Sequence, residues 1–361
     1  MNLLVLDQFS DLGGAQQVLL ELLPAMRDAG WRVLVGLPGN GELFARVRGL
    51  GFEAEPIACG PYRSGSKSVS DAGRFVLDTP RLAMQLRRLA KRVAADVVYV
   101  NGPRVLPGAA MAGFRRPVLF HAHSYLGPGA IQRMAGMALR AMRARVVGQC
   151  EFVAAPWREY ANVQVIYNGV AGPASVSARA RSGAPRVGCI GRIAPEKGQR
   201  EFLAAAARIY RAIPECRFAI YGAPLFGDRA VEAYAAQVCV DAAGLPVEFA
   251  GWVDDVVARM SELDLLLVPS MGIEATTRVI PEAFACGVPV IAFPSGGIPE
   301  VLEDGVTGRL ARDSAAMAEC AIELLRGDGG AELAKAARES WERRFTLARF
   351  RRDMLAAISG A

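Results

Sequence analysis

The chain reads as an α/β protein of two doubly wound domains. Short apolar runs alternate with amphipathic stretches along its length, the pattern of parallel sheets crossed by helices. A strand, a glycine loop and a helix open the chain at residues 3–6 and open it again at residues 186–190. At 361 residues, with hydrophobic content of 52%, there is length and apolar mass for two cores.

The elements follow in order. Residues 3–6 (Leu-Leu-Val-Leu) are a strand and 11–15 a loop. Residues 15–29 place Val18, Leu19, Leu22, Leu23 and Met26 at helical spacing, and Gly30 stops that helix. Strands are expected at 31–37, 97–100, 118–120 and 163–166, the last running into the turn Tyr167-Asn168-Gly169. Residues 1–170 form the first domain. Residues 171–185, rich in Ala, Ser, Gly and Pro, are expected to be a linker. The second domain, 186–344, repeats the theme: a strand at 186–190, a Gly-bounded loop at 191–198, a helix at 199–211, then strands at 217–221, 247–249, 265–268 and 290–293. The stretch 341–358 reads as one helix, with 345–361 packing back on the first domain. In such folds ligands sit at the carboxyl ends of the strands. Two such domains facing each other create a cleft.

Composition narrows the class. No apolar run reaches the roughly 18–20 residues of a membrane span, and the N-terminus lacks the basic stretch and cleavage site of a signal peptide. The seven cysteines are scattered singly, which fits reduced thiols and a cytoplasmic protein. The net charge of +6 is uneven. Residues 1–180 carry 21 Lys and Arg against 12 Asp and Glu, whereas residues 181–361 carry 21 against 24. The basic first half, with Arg87, Arg88, Lys91, Arg92, Arg133, Arg140, Arg143 and Arg145, suits peripheral attachment to an anionic membrane's inner face or a phosphorylated acceptor. A plain solvated helix face explains it equally well. No helix-turn-helix, zinc or RNP signature points to nucleic acid.

Chemistry concentrates in the second half. In Gly191-Arg192-Ile193-Ala194-Pro195-Glu196-Lys197-Gly198 two cations flank the N-terminal end of a helix, where the macrodipole is already positive. An anion relieves that conflict, and glycine-flanked helix N-termini are phosphate sites. Arg192 can fork onto phosphate oxygens and Lys197 supplies a point charge. Lysine is scarce, with Lys67, Lys91, Lys197 and Lys335 set against 38 arginines. An incidental surface loop is the plainer alternative. Glu274 and Glu282 lie seven residues apart across a strand-to-helix turn. Glu282 falls in the first turns of a helix starting near Val279, where a carboxylate can accept two vicinal hydroxyls, or simply complement the dipole. Glu274 lies on the loop, nearer any leaving group. A glycosidase also pairs carboxylates, about 5–9 Å apart, but has no need of a basic phosphate loop. Ser295-Gly296-Gly297-Ile298-Pro299 offers backbone amides before another helix. Asp11-Leu12-Gly13-Gly14-Ala15 is similar, and it is not a dinucleotide fingerprint.

His121 and His123 are the only histidines. They close a strand on one side of the chain, too few alone for a metal site. One of them can hydrogen-bond a sugar, or both can be core imidazoles. No Asp-x-Asp occurs, so no metal ion is expected to carry a diphosphate, and Arg192 and Lys197 take that role.

Taken together these segments resemble the retaining glycosyltransferases of family 4, which have the GT-B fold of two Rossmann-like domains facing a cleft. The likeness covers almost the whole chain and is densest over 186–310. It rests on Gly13-Gly14-Ala15, Asn168-Gly169-Val170, Gly191-Arg192 with Glu196-Lys197-Gly198, Phe249-Ala250-Gly251-Trp252-Val253, 264–270, the pair Glu274 and Glu282, and Gly296-Gly297-Ile298-Pro299-Glu300. The resemblance implies a nucleoside diphosphate sugar, UDP- or GDP-linked, as donor and an acceptor that the sequence does not identify. It implies no cofactor, and bacterial glycan or glycolipid assembly as the setting. Arg192 and Lys197 would bind and stabilise the leaving diphosphate. Glu274 would contact the donor sugar, His121 would sit beside the anomeric centre, and Glu282 would hold the ribose. Gly14, Gly191, Thr276, Thr277 and Arg278 would line the donor site. Where the family commonly has Phe-Gly, this chain has Thr276-Thr277. Threonine is bulkier than glycine, so either its hydroxyls act as donors or the sugar pocket differs. The alternatives are an epimerase of the same architecture, a non-catalytic nucleotide-sugar-binding subunit and, more remotely, a pyridoxal-phosphate phosphorylase.

Overall fold

The structure, a computed structural model, describes residues 1–39, 41–60, 69–176, 183–224 and 229–361. Lys67 and part of the expected linker, 177–182, lie outside them. The chain divides into two units: Met1–Asn168 with Ala348–Ala361, and Gly169–Leu347.

The first unit holds β1 (Asn2–Asp7), β2 (Arg32–Leu37), β3 (Glu53–Pro56), β4 (Val97–Asn101), β5 (Val118–Ala122), β6 (Arg145–Gly148) and β7 (Asn162–Val165). They form one parallel sheet in the order β3-β2-β1-β4-β5-β6-β7. The order reverses between β1 and β4, which makes the carboxyl ends of those strands a switch point. The central strands are buried on both faces, so they read as unbroken apolar runs rather than alternating ones. Two strands of this unit escaped the sequence reading. β3 is half-exposed with charged residues, and β6 has only four residues.

The second unit holds β8 (Arg186–Ile190), β9 (Arg217–Tyr221), β10 (Val247–Gly251), β11 (Leu265–Val268), β12 (Val290–Ala292) and β13 (Arg309–Leu310), parallel and in the order β10-β9-β8-β11-β12-β13. Its core gathers Val187, Phe202, Ile209, Phe218, Leu265 and Leu267, among others, between the sheet and the helices Gln199–Ala212 and Ser314–Arg326. Asp255, left without a role by the sequence, caps the helix Val256–Met260 by accepting from the Ala258 amide at 2.9 Å.

Val170, the residue before the expected linker, is tied down within the second unit. Val170 N donates to Phe345 O at 2.9 Å, Leu347 N donates to Val170 O at 3.1 Å, and Trp341 Nε1 donates to Val170 O at 3.3 Å. The same contacts correct the expectation of one terminal helix over 341–358. The helix Gly329–Arg344 ends, Phe345 buries its ring, Thr346 bridges Val170, and a new helix runs Leu347–Ser359. Within the first unit Arg351 Nε donates to Glu21 O at 2.8 Å, and Phe350 stacks on His121 with ring centroids 6.3 Å apart.

Candidate functional site

In the second unit three loops leave the carboxyl ends of β8, β11 and β12, and backbone contacts stitch them together. Buried Gln199 holds the first loop, donating from Nε2 to Arg192 O at 2.9 Å and accepting from Ala194 N at 3.3 Å. Met271 N donates to Glu196 O at 2.8 Å, joining the second loop to the first. Ser295 Oγ donates to Gly272 O at 2.9 Å and Gly297 N to Glu274 O at 3.1 Å, joining the third to the second. Two glycines permit this. A Cβ on Gly198 (φ +70°) would lie 2.0 Å from Pro269 O, and one on Gly296 (φ +54°) 1.7 Å from Glu274 O. No side chain survives such an approach to backbone.

This stitching brings together Gly191, Arg192, Lys197, Glu274, Thr276, Thr277, Arg278 and Glu282. The sequence argument left two cations awaiting an anion, and the structure supplies carboxylates. Arg192 pairs with Glu196 four residues on, and Lys197 Nζ pairs with Glu274 Oε2. The second pair is sheltered, its side chains 21% and 14% exposed. Arg278 Nε lies 3.4 Å from Glu282 Oε1, and Glu282 stands in the first turn of the helix Val279–Cys286. Arg192, Lys197 and Arg278 are therefore each already paired with a glutamate. Thr276 is buried, and Thr277 adopts φ +24°, a left-handed backbone on a β-branched residue. The fold keeps the conformation that glycine suits at the position where threonine stands.

In the first unit Gly14 opens the helix Gly14–Asp28. Its Cβ position is open space, and no side chain caps that terminus. His121 and His123 do lie on one side of the chain, ring centroids 3.9 Å apart. Their settings differ, and His121, the one expected beside the sugar, is the more enclosed of the two. That residue has no exposed surface, its Nδ1 is 2.6 Å from the Tyr99 hydroxyl, and its ring stacks on Phe350. His123 lies two residues nearer the loop and is only partly buried. Burial pushes the pKa of both imidazoles down, His121 well below its usual range and His123 to about 3, so both are neutral at physiological pH.

The sequence reading missed the polar residues behind them. Asp7 and Asn101 end β1 and β4, side by side in register and buried. Asp7 accepts from Gln16 Nε2 at 3.0 and 3.2 Å, from Asn101 Nδ2 at 2.6 Å and from Phe9 N at 2.9 Å. A polar residue closing an otherwise apolar central strand was the available signal. Among the described residues no three His, Cys, Asp or Glu side chains are grouped to hold a metal ion.

The comparisons with known proteins agree with this architecture. A family model described as Glycosyltransferase Family 4 matches residues 12–171, and one described as Glycosyl transferases group 1 matches residues 184–327. Among curated proteins, the phosphatidyl-myo-inositol mannosyltransferase of Mycobacterium leprae is 28% identical over 337 residues, 88% of this chain and 84% of that one. The D-inositol 3-phosphate glycosyltransferase of Segniliparus rotundus is 34% identical over 168 residues, 43% of this chain and 37% of that one. Among solved structures, Anabaena Alr3699/HepE in complex with UDP superposes with a TM-score of 0.83 at 25% identity, covering 100% of both chains. Two parallel Rossmann-like sheets with these loops define a glycosyltransferase of the GT-B type. The two family models between them span most of the sequence, and the chain belongs to glycosyltransferase family 4.

Proposed function

We propose that this enzyme moves a hexosyl group from a nucleoside diphosphate sugar to an acceptor hydroxyl, with retention at the anomeric carbon and with no metal ion at the diphosphate. The observation that carries the reading is the set of cations, each prepaired with a glutamate, on the stitched loops of the second unit. Arg192 and Lys197 take the two phosphates, exchanging Glu196 and Glu274 for phosphate oxygens. Their charge offsets what develops as the sugar–phosphate bond breaks. Freed from Lys197, Glu274 turns to the sugar hydroxyls, and Glu282 accepts the ribose hydroxyls. Thr276, Thr277, Arg278 and the backbone at Gly191 line the donor's path, and Gly14 leaves its helix terminus open. Within the first unit His123, with His121 behind it, is the group offered to a substrate hydroxyl. No side chain here is placed as a covalent nucleophile, so the acceptor oxygen attacks from the face the diphosphate leaves. The new C–O bond forms as the old one breaks, and the hydroxyl proton passes to the departing phosphate.

The same reading places the acceptor at an anionic membrane's inner face. No Asp or Glu occurs between Asp96 and Glu151, a stretch holding seven arginines. Within it the helix Ala130–Met142 turns outward Ile131, Met134 and Met137 together with Arg133 and Arg140. Exposed methionines flanked only by arginines suit a surface of phosphate headgroups over acyl chains. The M. leprae relative is named for a phosphatidyl-inositol acceptor. Among the described residues no helix is long and apolar enough to cross a membrane.

A thermal-shift panel of UDP, GDP, ADP and their sugars, followed by NMR of the product's anomeric configuration, tests the first claim. Stabilisation by one nucleoside diphosphate without added metal, and a retained anomer, are expected. No shift with any nucleotide, or an inverted product, would sink it. Flotation with vesicles of phosphatidylglycerol and phosphatidylcholine tests the second. R133E/R140E should lower binding by roughly 30-fold or more, at about 1 kcal/mol per cation lost and more for reversal. Equal binding by the variant removes the membrane claim.

A further inference from the structure

The carboxyl ends of β1, β4 and β5 carry a polar chain of which the transfer scheme above uses only the last member, His123. Asp7 accepts from Asn101 Nδ2 at 2.6 Å, and Asn101 Oδ1 lies 2.7 Å from His123 Nε2. All its links are short, and Asp7 and Asn101 are buried. The first link decides the second. A carboxylate only accepts, so the Asn101 amide must turn its NH2 to Asp7, where Ala15 O at 3.4 Å also receives it. The amide oxygen then faces His123, and the imidazole must carry its proton on Nε2 to donate. Its Nδ1 is left bare, and that atom is buried with no hydrogen-bond partner. The His123 backbone is held as well, because Gln149 Nε2 donates to His123 O and Asn168 Nδ2 donates to Gln149 Oε1. A buried, unpartnered acceptor on a ring fixed from two sides is costly unless something completes it.

We infer that Asp7, acting through the Asn101 amide, is a positioning residue for sugar transfer: it fixes the tautomer of His123 so that Nδ1 accepts from a substrate hydroxyl. The inference rests on the glycosyltransferase reading and on His123 as the group that meets substrate. Protonating Asp7 undoes the arrangement. A neutral carboxyl can donate, the Asn101 amide can turn over, and Nδ1 becomes the protonated nitrogen. Burial pushes the Asp7 pKa up to about 6, with Asn101, Phe9 and Gln16 pulling against it, so this happens within reach of ordinary buffers. The titratable groups facing Asp7 are Cys59 and Tyr99, both pushed up chiefly by burial and further by its charge, and beyond Asn101 the neutral His121 and His123. Arg104 and Asp78 act on the same Cys59.

The chain has only two histidines, so the test is direct. Nitrogen-15 histidine spectra of the full chain, assigned with H121Q, should show His123 protonated at Nε2 at pH 7.5 and changing tautomer as pH falls through about 6. In D7N the preference should weaken, kcat should fall about tenfold or more, and donor KM should stay within about threefold. The acid limb of the wild-type kcat profile should vanish in that variant. A wild-type His123 protonated at Nδ1, or a D7N enzyme with wild-type kcat and acid limb, overturns the inference. If D7N does not fold, the wild-type spectra decide alone. If no donor supports transfer, the functional reading fails while the spectra still judge the network.

Discussion

Replacing Lys197 by alanine separates the two jobs its ammonium does. In the structure Nζ pairs with Glu274 Oε2, and the two side chains are 21% and 14% exposed. That shelter lies between a surface pair, worth at most about 1 kcal/mol, and a buried one, whose rupture costs about 3–5 kcal/mol. The expected loss of stability is therefore on the order of 1–3 kcal/mol, most of it from stranding Glu274. For a unit of this size that is a fall of roughly 2–12 °C in Tm. Removing Glu274's charge too, as K197A/E274Q, should restore most of it, with a coupling of about 1–2 kcal/mol. Catalysis should behave otherwise. Losing a preorganised charge from the leaving group costs about 100- to 1000-fold in kcat. It should also shrink the Tm gain produced by the preferred nucleoside diphosphate. Turnover within threefold of wild type in K197A refutes the leaving-group role. So does an undiminished nucleotide-induced Tm gain beside a lowered ligand-free Tm, because it reduces Lys197 to a structural partner of Glu274.

Three further outcomes follow from the same geometry. G296A should destabilise the second unit by several kcal/mol and abolish nucleotide-induced stabilisation, since its Cβ meets Glu274 O at 1.7 Å and φ +54° is costly for alanine; a wild-type melting curve with ligand would contradict the stitched loops. T277G should leave stability unchanged or raise it by up to about 1 kcal/mol, relief of the φ +24° backbone outweighing glycine's entropy, and should shift donor KM; a loss above about 1 kcal/mol would show the conformation is unstrained. D7N should be more stable than wild type at pH 8 by up to about 3 kcal/mol, because a pKa raised from 3.8 to about 6 means that ionisation disfavours the fold. The sign follows from the raised value: Asp7's contribution is fully present below about pH 4 and lost as pH climbs through 6. The advantage of D7N should therefore grow across that window and level off above it, and denaturant curves at pH 4, 6 and 8 measure it.

The parts of the fold legible in the sequence were those where one force dominates. The strand at 217–221 reads directly because Phe218 to Tyr221 are buried and little else competes, and β11 and the helix Val279–Cys286 read for the same reason. β3 did not, since an edge strand reading Glu-Ala-Glu-Pro carries no apolar signal. The terminal helix was drawn through its break because local propensity continues across 345–346. The break comes from Val170, some 175 residues away in sequence, which captures the backbone there. At the site, spacing identified Arg192, Lys197, Glu274 and Glu282, but not that glutamates would already hold the cations. The settings of the two histidines were hidden from the sequence for a similar reason. Alternation places His121 and His123 on one side, and only the packing of Phe350 and Tyr99 shows that the first is sealed in.

The two units place polar groups at the same position, the carboxyl edge of a parallel sheet, yet handle the energetic cost in opposite ways. In the second unit the charges stay partly wet and are paired in advance, so no cation there is buried without a counter-charge. In the first unit Asp7, Asn101 and His121 are buried and His123 partly so. Asp7 is raised by burial, two imidazoles are forced neutral, and two ring nitrogens, His121 Nε2 and His123 Nδ1, lack partners. Asp7 and Asn101 satisfy donors on Gln16, Phe9 and His123, yet burial still leaves the Asp7 pKa raised. A dry network of fixed tautomers does what a wet one cannot: it presents a donor or acceptor whose identity water does not scramble. That is the demand made by a sugar, whose hydroxyls differ only in where they point. The stability given up at Asp7 is thus expected to reappear as discrimination among hydroxyls, and D7N, though sturdier, should accept epimeric donors that the wild type refuses.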